Sequence, residues 1–461
     1  MEPAAPATRA QELPVGVIGA GPVGLAAAAQ LIERGLRPLI LEAGPEPAAA
    51  VRSWGHIRLF SPWRYNIDAA ARRLLEAAGW QAPAPDLTPT GAELVDRYLS
   101  PLARLAPIAT ALKLNTRVTA VTRLGLDRTQ SADREQRPFL IRTVDSRGIG
   151  AEHLAGAVID ASGTWHTPNP AGGSGLPAPG EAEARAMGLV SGPLPDVLGV
   201  ERDRFAGRRV LVTGTGHSAA NTLLALAELA DSDGGRISWA VRGTGTARLF
   251  GGGDQDGLPA RGALGQRLKA LVESGRIELH TGFTVTGFKA ADTLLVSGRT
   301  AGGEEQLEVD VLVPATGFRP DHSWLREIRL DLDPVVEAPN RLGPMIDPEF
   351  HSCGTVPPHG ARVLSHLERD FYIAGAKSYG RAPTFLLATG YEQVRSIAAE
   401  LAGDSAAADE VHLELPETGV CSTDPAPAST AGGCCAPGPA QLGLPTGLKH
   451  GRSGDDAGAG C

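Results

Sequence analysis

The stretch from Val15 to Ala43, VGVIGAGPVGLAAAAQLIERGLRPLILEA, constrains this chain more than any other, because each part of it specifies a different local geometry. Val15–Ile18 is a short apolar run of the kind that fills a buried strand. Gly19-Ala20-Gly21-Pro22-Val23-Gly24 then places glycine where a turn is tight, where backbone must approach a pyrophosphate, and where helix packs on strand. The spacing predicts a helix over Leu25–Arg34, stopped by Gly35, whose first N–H groups point at the phosphates. A second strand, Pro38–Leu41, ends in Glu42 and Ala43. Glu42 lies 18 residues beyond Gly24, where an acid accepts the hydrogen bonds of an adenosine ribose. A carboxylate repels a 2′-phosphate, so this turn suits FAD or NAD rather than NADP. The competing reading is a secretory leader, since Arg9 precedes a long apolar run; glycines and a proline inside that run, and Glu42 at its end, argue against it.

Length and charge then bound the rest. A chain of 461 residues is long enough for two or three domains. Its 43 basic and 52 acidic residues leave a net charge of −9 with no basic block, so neither nucleic acid nor an anionic membrane is an expected partner. There is no apolar run of membrane-spanning length. All five cysteines lie at or after Cys353, which makes no disulfide framework for the body of the chain and predicts a reducing cytoplasm. Residues 1–12 and 416–461, rich in Ala, Gly and Pro, are expected to be disordered.

Past the first unit, Arg52–Tyr65 (RSWGHIRLFSPWRY) is an aromatic and arginine-rich segment in which Trp54 is a candidate to cover a cofactor. Gly91–Leu105 has helical spacing, and Thr116–Arg123 alternates as a strand whose backbone near Val118 faces an adenine edge. Ala157–Pro170 (AVIDASGTWHTPNP) is a buried strand running into Ala161-Ser162-Gly163, and the Pro/Gly-rich segment 168–188 is the expected hinge.

A second strand–turn–helix signature follows at Arg208–Leu229 (RRVLVTGTGHSAANTLLALAEL), with Gly214, Gly216, His217, Ser218 and Ala219 in its turn. The expected next strand, Ile237–Val241, ends in Arg242 with no acid at the ribose position. An arginine there pairs with a 2′-phosphate and selects NADPH. His217 is expected to pack or cap rather than to transfer protons. Val309–Pro320 (VDVLVPATGFRP) repeats the Ala-Thr/Ser-Gly turn with Thr316 and Gly317, and Phe371–Gly375 is a further buried strand ending in glycine. The helix after Gly375 is expected to aim its positive end at a flavin.

This order, with two glycine turns and two Ala-Thr/Ser-Gly turns over about residues 13–403, resembles the two-dinucleotide-binding flavoproteins and, within them, the class B-like flavin monooxygenases. The resemblance implies an α/β fold of two Rossmann-like domains: a discontinuous FAD domain at 13–189 and 311–405, and an inserted NADPH domain at 190–310. It implies an enzyme that passes hydride from NADPH to FAD and lets reduced flavin meet O₂ and a small-molecule substrate. Two departures bear on that substrate. DRFAGRRVLVTG lacks the FxGxxxHxxx(W/Y) fingerprint of ketone- and amine-oxidising members, and Asn221 stands where an acid is common. His351–Gly360 (HSCGTVPPHG), GRAPTFLLATGYEQVRS and LPETGVCS resemble flavoproteins of bacterial arsenic-resistance operons, which implies a trivalent arsenic or antimony substrate. Cys353 and Arg381, both in loops of the return segment, are the catalytic candidates. Cys434, Cys435 and Cys421 are soft ligands able to capture a metalloid. Two alternatives stay open: an NADPH-dependent disulfide or metalloid reductase using the vicinal tail cysteines, and a metalloid carrier on a relic flavin fold.

Overall fold

The computed structural model describes residues 13–245, 249–250, 259–348, 356–382 and 385–413. Cys353, Cys421, Cys434 and Cys435 lie outside them, as do both segments expected to be disordered. Two parallel sheets organise the chain. The first has five strands in the order Phe371–Ile373, Ala157–Asp160, Val15–Ile18, Pro38–Leu41 and Leu112–Lys113. The second has four, Glu278–His280, Arg236–Ala240, Arg209–Thr213 and Val311–Pro314. Each is accompanied by a three-stranded antiparallel sheet, Thr116–Arg123 with Phe139–Asp145 and Gly150–Ala155 in the first unit, and Thr284–Ala290 with Leu294–Thr300 and Gly303–Val309 in the second.

The helix of the first signature runs Pro22–Glu33, three residues earlier than its apolar spacing suggests, because Pro22 fits the first turn, where an N–H is not needed. Ala26–Ala29 are fully buried, so the run that could pass for a leader is the small-residue face that brings helix close to sheet. Gly35, at φ +71°, ends the helix as expected.

The segment 91–104 is helical but uneven. Thr90 and Glu93 form a reciprocal cap, after which Val95–Leu99 widens into a π turn and Ser100–Arg104 resumes as α-helix. Pro101 has no N–H to give the Arg97 carbonyl, which accepts the Trp80 indole N–H at 2.9 Å instead.

The connections between the units lie elsewhere than the sequence suggests. Ala171, Ala178, Ala184 and Val190 pack with Leu211, Phe283 and Leu312 in the core of the second unit. Leu312 bridges to the 189–191 segment across the edge of its sheet, its N–H donating to the Leu189 carbonyl and its carbonyl accepting the Ser191 N–H, both at 2.9 Å. Residues 171–189 and the strand Val311–Pro314 therefore belong with the inserted unit, not with the first. The crossovers are 161–170 and 315–320, and they are stitched together. Asn169 N–H donates to the Gly317 carbonyl at 2.9 Å and its amide to Thr316 at 3.0 Å, while the Thr316 hydroxyl donates back to the Asn169 carbonyl at 2.9 Å. Arg319 Nε donates to the Asn169 side chain at 2.8 Å, and Trp165 lies against Phe318 with ring centres 5.2 Å apart.

Among the described residues no helix is long and apolar enough to cross a membrane.

Candidate functional site

Both glycine turns sit at the carboxyl ends of their parallel strands, where open α/β sheets form ligand crevices. In the first, the space around each glycine states its role. A Cβ on Gly24 would lie 2.0 Å from the Gly19 carbonyl oxygen, and one on Gly19 would lie 2.8 Å from the Ala161 oxygen and 3.1 Å from the Ser162 Cα. Gly21 has nothing within 4 Å of a Cβ, and as N-cap of the helix it leaves the first N–H groups without a side-chain partner. The cradle is therefore closed by protein at Gly19 and Gly24 and open at Gly21, which fits a pyrophosphate.

Glu42 organises the ribose end. Its Oε2 accepts the Ala20 N–H and its Oε1 the Gly44 N–H, both at 2.7 Å, so one carboxylate fixes the glycine turn against the loop after Ala43. The Glu42 carbonyl accepts the Thr116 N–H at 2.7 Å, which holds the strand bearing Val118 alongside. Each carboxylate oxygen retains a lone pair for a ribose hydroxyl.

At the other end of the site, Val23 stands between two return-segment glycines. A Cβ on Gly375 (φ +74°) would lie 3.2 Å from Val23, and one on Gly390, in the first turn of the helix Leu387–Leu401, 2.6 Å from it. The first glycine turn, the Gly375 turn and the helix that follows it thus converge. Gln393 holds them: its Oε1 accepts the Gly375 N–H at 2.8 Å, and its amide nitrogen lies 2.9 Å from both the Ser378 hydroxyl and His359 Nε2.

The second turn repeats the construction. A Cβ on Gly214 (φ +117°) would meet the Ala315 oxygen at 2.1 Å, next to Thr316, as Gly19 meets Ala161. Gly216 is open and caps the helix His217–Asp233 without a side-chain bond; Ser218 is half-buried and Ala219 buried. The strand ends at Ala240, one residue before the expected Val241, and Arg242 is exposed just beyond it. His217 has a packing role, with its ring 4.7 Å from that of Phe60. That contact brings the aromatic 52–65 segment onto the second turn. Trp54 is half-buried and packs on Gly91, where a Cβ would come within 2.8 Å of its ring.

The described part of the candidate chemistry is limited to Arg381, whose guanidinium pairs with Glu337 at 2.7 and 3.2 Å and whose N–H donates to Val336 at 2.7 Å. This exposed arginine braces the left-handed Glu337 turn. Among the described residues no cluster of His, Cys, Asp and Glu could hold a metal ion. A cavity of about 330 Å³ lies between Val121, Leu140, Arg142 and Trp324, and no glycine turn lines it.

Sequence reasoning missed a buried polar cluster behind the first cradle. Asp160, the last residue of its strand, is fully buried and its Oδ2 accepts from Lys377 Nζ at 2.6 Å. Asp160 Oδ1 accepts the Ser162 hydroxyl at 2.6 Å and the Ser162 N–H at 3.1 Å. The signal was an acid ending the otherwise apolar run Ala157–Ile159, which an isolated buried strand would not tolerate. Beside it, His322 has both ring nitrogens shielded from solvent; burial first, and then the Lys377 charge, hold its imidazole below the usual histidine range.

Residues 17–78 match the family model of a NAD(P)-binding Rossmann-like domain. Over 347 residues the chain is 25% identical to a ferredoxin–NADP reductase of Rhodospirillum rubrum, covering 74% of this chain and 82% of that one. Among solved structures, the bacillithiol disulfide reductase of Bacillus cereus superposes with a TM-score of 0.61 at 20% identity, over 85% of this chain and 99% of that one. The FAD-bound cadaverine monooxygenase of the desferrioxamine pathway from Erwinia amylovora does so with a TM-score of 0.60 at 16% identity, over 90% and 99%. At these identities the likeness establishes the fold: this chain has the α/β architecture of two parallel sheets, each with a glycine turn, that these reductase and monooxygenase structures share.

Proposed function

We propose that this protein is an FAD- and NADPH-dependent oxidoreductase, and that it acts as a flavin monooxygenase on a soft nucleophile such as a trivalent arsenic or antimony species. The observation that carries the cofactor assignment is the pair of cradles. The first is glycine-lined with a carboxylate at its ribose end, which suits FAD; the second has an exposed arginine at that position, which suits NADPH. The flavin, when bound, relays two electrons from NADPH to O₂. One oxygen atom passes to the substrate, raising arsenic from the trivalent to the pentavalent state, and the other leaves as water with two protons.

The chain's own residues bind and orient. Gly21 and Gly216 open the phosphate sites, Glu42 and Arg242 discriminate the two nucleotides, and the Val23–Gly375–Gly390 junction fixes the flavin end of the first cradle. No residue before Cys353 is a cysteine, so the body of the chain offers no dithiol to receive electrons. That favours oxygen as the acceptor. The segment HSCGTVPPHG and the soft thiols of Cys353, Cys421, Cys434 and Cys435 favour the metalloid.

The reductase reading retains one supporting observation, the vicinal pair Cys434-Cys435. One experiment separates the two: NADPH consumption by the FAD-loaded protein in air and under argon, with arsenite, methylarsenite, antimonite or a small disulfide. Arsenite-stimulated, oxygen-dependent turnover yielding pentavalent product with little free hydrogen peroxide is expected. Stimulation by disulfide without oxygen would replace monooxygenase by reductase.

A further inference from the structure

Asp160 and Lys377 are 0% and 1% exposed, and nothing assigned so far uses them. Their position is specific. In strand register Asp160 lies between Ile18, which precedes Gly19, and Ile373, which precedes the Gly375 turn. Lys377 follows Gly375 by two residues in the 3₁₀ turn Gly375–Tyr379. The pair thus sits behind both turns that line the first cradle. Burying two charges is expensive, and an apolar pair of similar size generally holds a fold as well or better. Retention of an ion pair here calls for a use of its field.

The hydrogen bonds show where that field is directed. Lys377 Nζ reaches Asp160 Oδ2 at 2.6 Å and the Ser162 hydroxyl oxygen at 3.3 Å, and lies 4.3 Å from the centre of the Trp324 ring. Ser162 is exposed, belongs to the turn against which Gly19 packs, and is held by Asp160 through both its hydroxyl and its N–H. At the neighbouring His322 imidazole the two charges act in opposite directions, Lys377 lowering its pKa and Asp160 raising it, after the larger effect of burial.

We propose that the Lys377–Asp160 pair is an electrostatic positioning device for the bound flavin: Lys377 favours the more negative, reduced cofactor, while Asp160 restrains that pull and fixes Ser162. The inference rests on FAD occupying the first cradle. Its signature is opposite signs. Loss of Lys377 leaves a buried negative charge that opposes reduction, whereas loss of the Asp160 charge leaves an uncompensated cation that assists it.

The test is the two-electron reduction potential of FAD-loaded protein, read against a reference dye, for the wild type, Lys377→Met, Asp160→Asn and the double variant. Lys377→Met is expected to lower the reduced-to-oxidised ratio at a given potential at least tenfold, about 30 mV for a two-electron couple. Asp160→Asn, which can still accept from Ser162, is expected to raise it by a similar factor, and the double variant to return within about threefold of wild type. Shifts of the same sign, or none, overturn the proposal. If Lys377→Met does not fold, Asp160→Asn decides alone: its potential must rise. Fluorescence titration with FAD runs in parallel. A wild type that fails to bind FAD refutes the cofactor assignment itself, whereas flavin-loaded variants with unmoved potentials refute only the role of the pair.

Discussion

Glu42→Gln tests whether the first cradle is built before any nucleotide arrives. The carboxylate accepts the Ala20 and Gly44 N–H groups at 2.7 Å each, one per oxygen. A glutamine amide has one oxygen, so it can keep one of these bonds and must turn its NH₂ toward the other N–H. Hydrogen bonds to a charged acceptor contribute about 1.5–3 kcal/mol. Glu42 is only half-buried, so solvent screening brings the expected loss toward about 2 kcal/mol. For a unit of this size that is roughly 4–8 °C in unfolding temperature. The assay is calorimetric unfolding of flavin-free protein, followed by FAD titration, where the same change should weaken affinity by roughly 10–100-fold, since a ribose contact is lost as well. An unchanged unfolding temperature in flavin-free protein would refute the reasoning, even with weaker FAD binding, because it would mean that Glu42 contributes only through the ligand.

Two further outcomes are expected. Arg242→Ala should reduce NADPH affinity roughly 10–100-fold through loss of about 1.5–3 kcal/mol of charge-assisted bonding and leave NADH use nearly unchanged, which steady-state kinetics with both cofactors will check; an equal fall for both would make the arginine structural. The acid stability of the protein should respond to Asp68, which caps the helix Ala69–Ala77 and which burial pushes up from the ordinary 3.8 to about 6 against the hydrogen bonds of Ala71 and Gln30. The folded state holds that proton more tightly than the unfolded one, so its contribution falls as pH rises from about 4 to 6. His366, which burial pushes down from 6.5 to about 4, has the opposite slope, losing stability as pH falls through the same window. Each is worth about 3 kcal/mol. Asp68→Asn should therefore steepen the acid loss between pH 6.5 and 4, measured by urea unfolding; an unaltered slope would show that Asp68 does not bind a proton there.

Legibility in the sequence followed locality. The two glycine turns, Glu42, the strand Thr116–Arg123 and the return through Gly375 could be read because each is specified by neighbours within a few residues. The helix 91–104 was readable as a helix, but its π turn was not, since the Trp80 indole that occupies the Arg97 carbonyl comes from 17 residues away. The crossovers were misplaced for a related reason: Pro and Gly content from 168 to 188 suggests a hinge, but the alanines at 171, 178 and 184 find a core only once Leu312 is folded beside them. Lys377 and Asp160 meet across 217 residues, beyond any spacing rule.

The stitched crossovers bear on how the two halves can move. Two independent tethers would let the inserted unit turn about any axis. Here Asn169, Thr316 and Arg319 join the outgoing and returning strands into one ribbon. A ribbon bends easily across its flat face, twists less easily, and resists shear along its length, because shear breaks several hydrogen bonds at once. Relative motion of the units is therefore channelled into a swing. Gly163, at positive φ with no protein atom within 4 Å of a Cβ, stands outside the stitched part, whereas Gly317 lies within it, its carbonyl accepting the Asn169 N–H. Phe60 against His217 adds a contact between the aromatic 52–65 segment and the second turn, outside the ribbon.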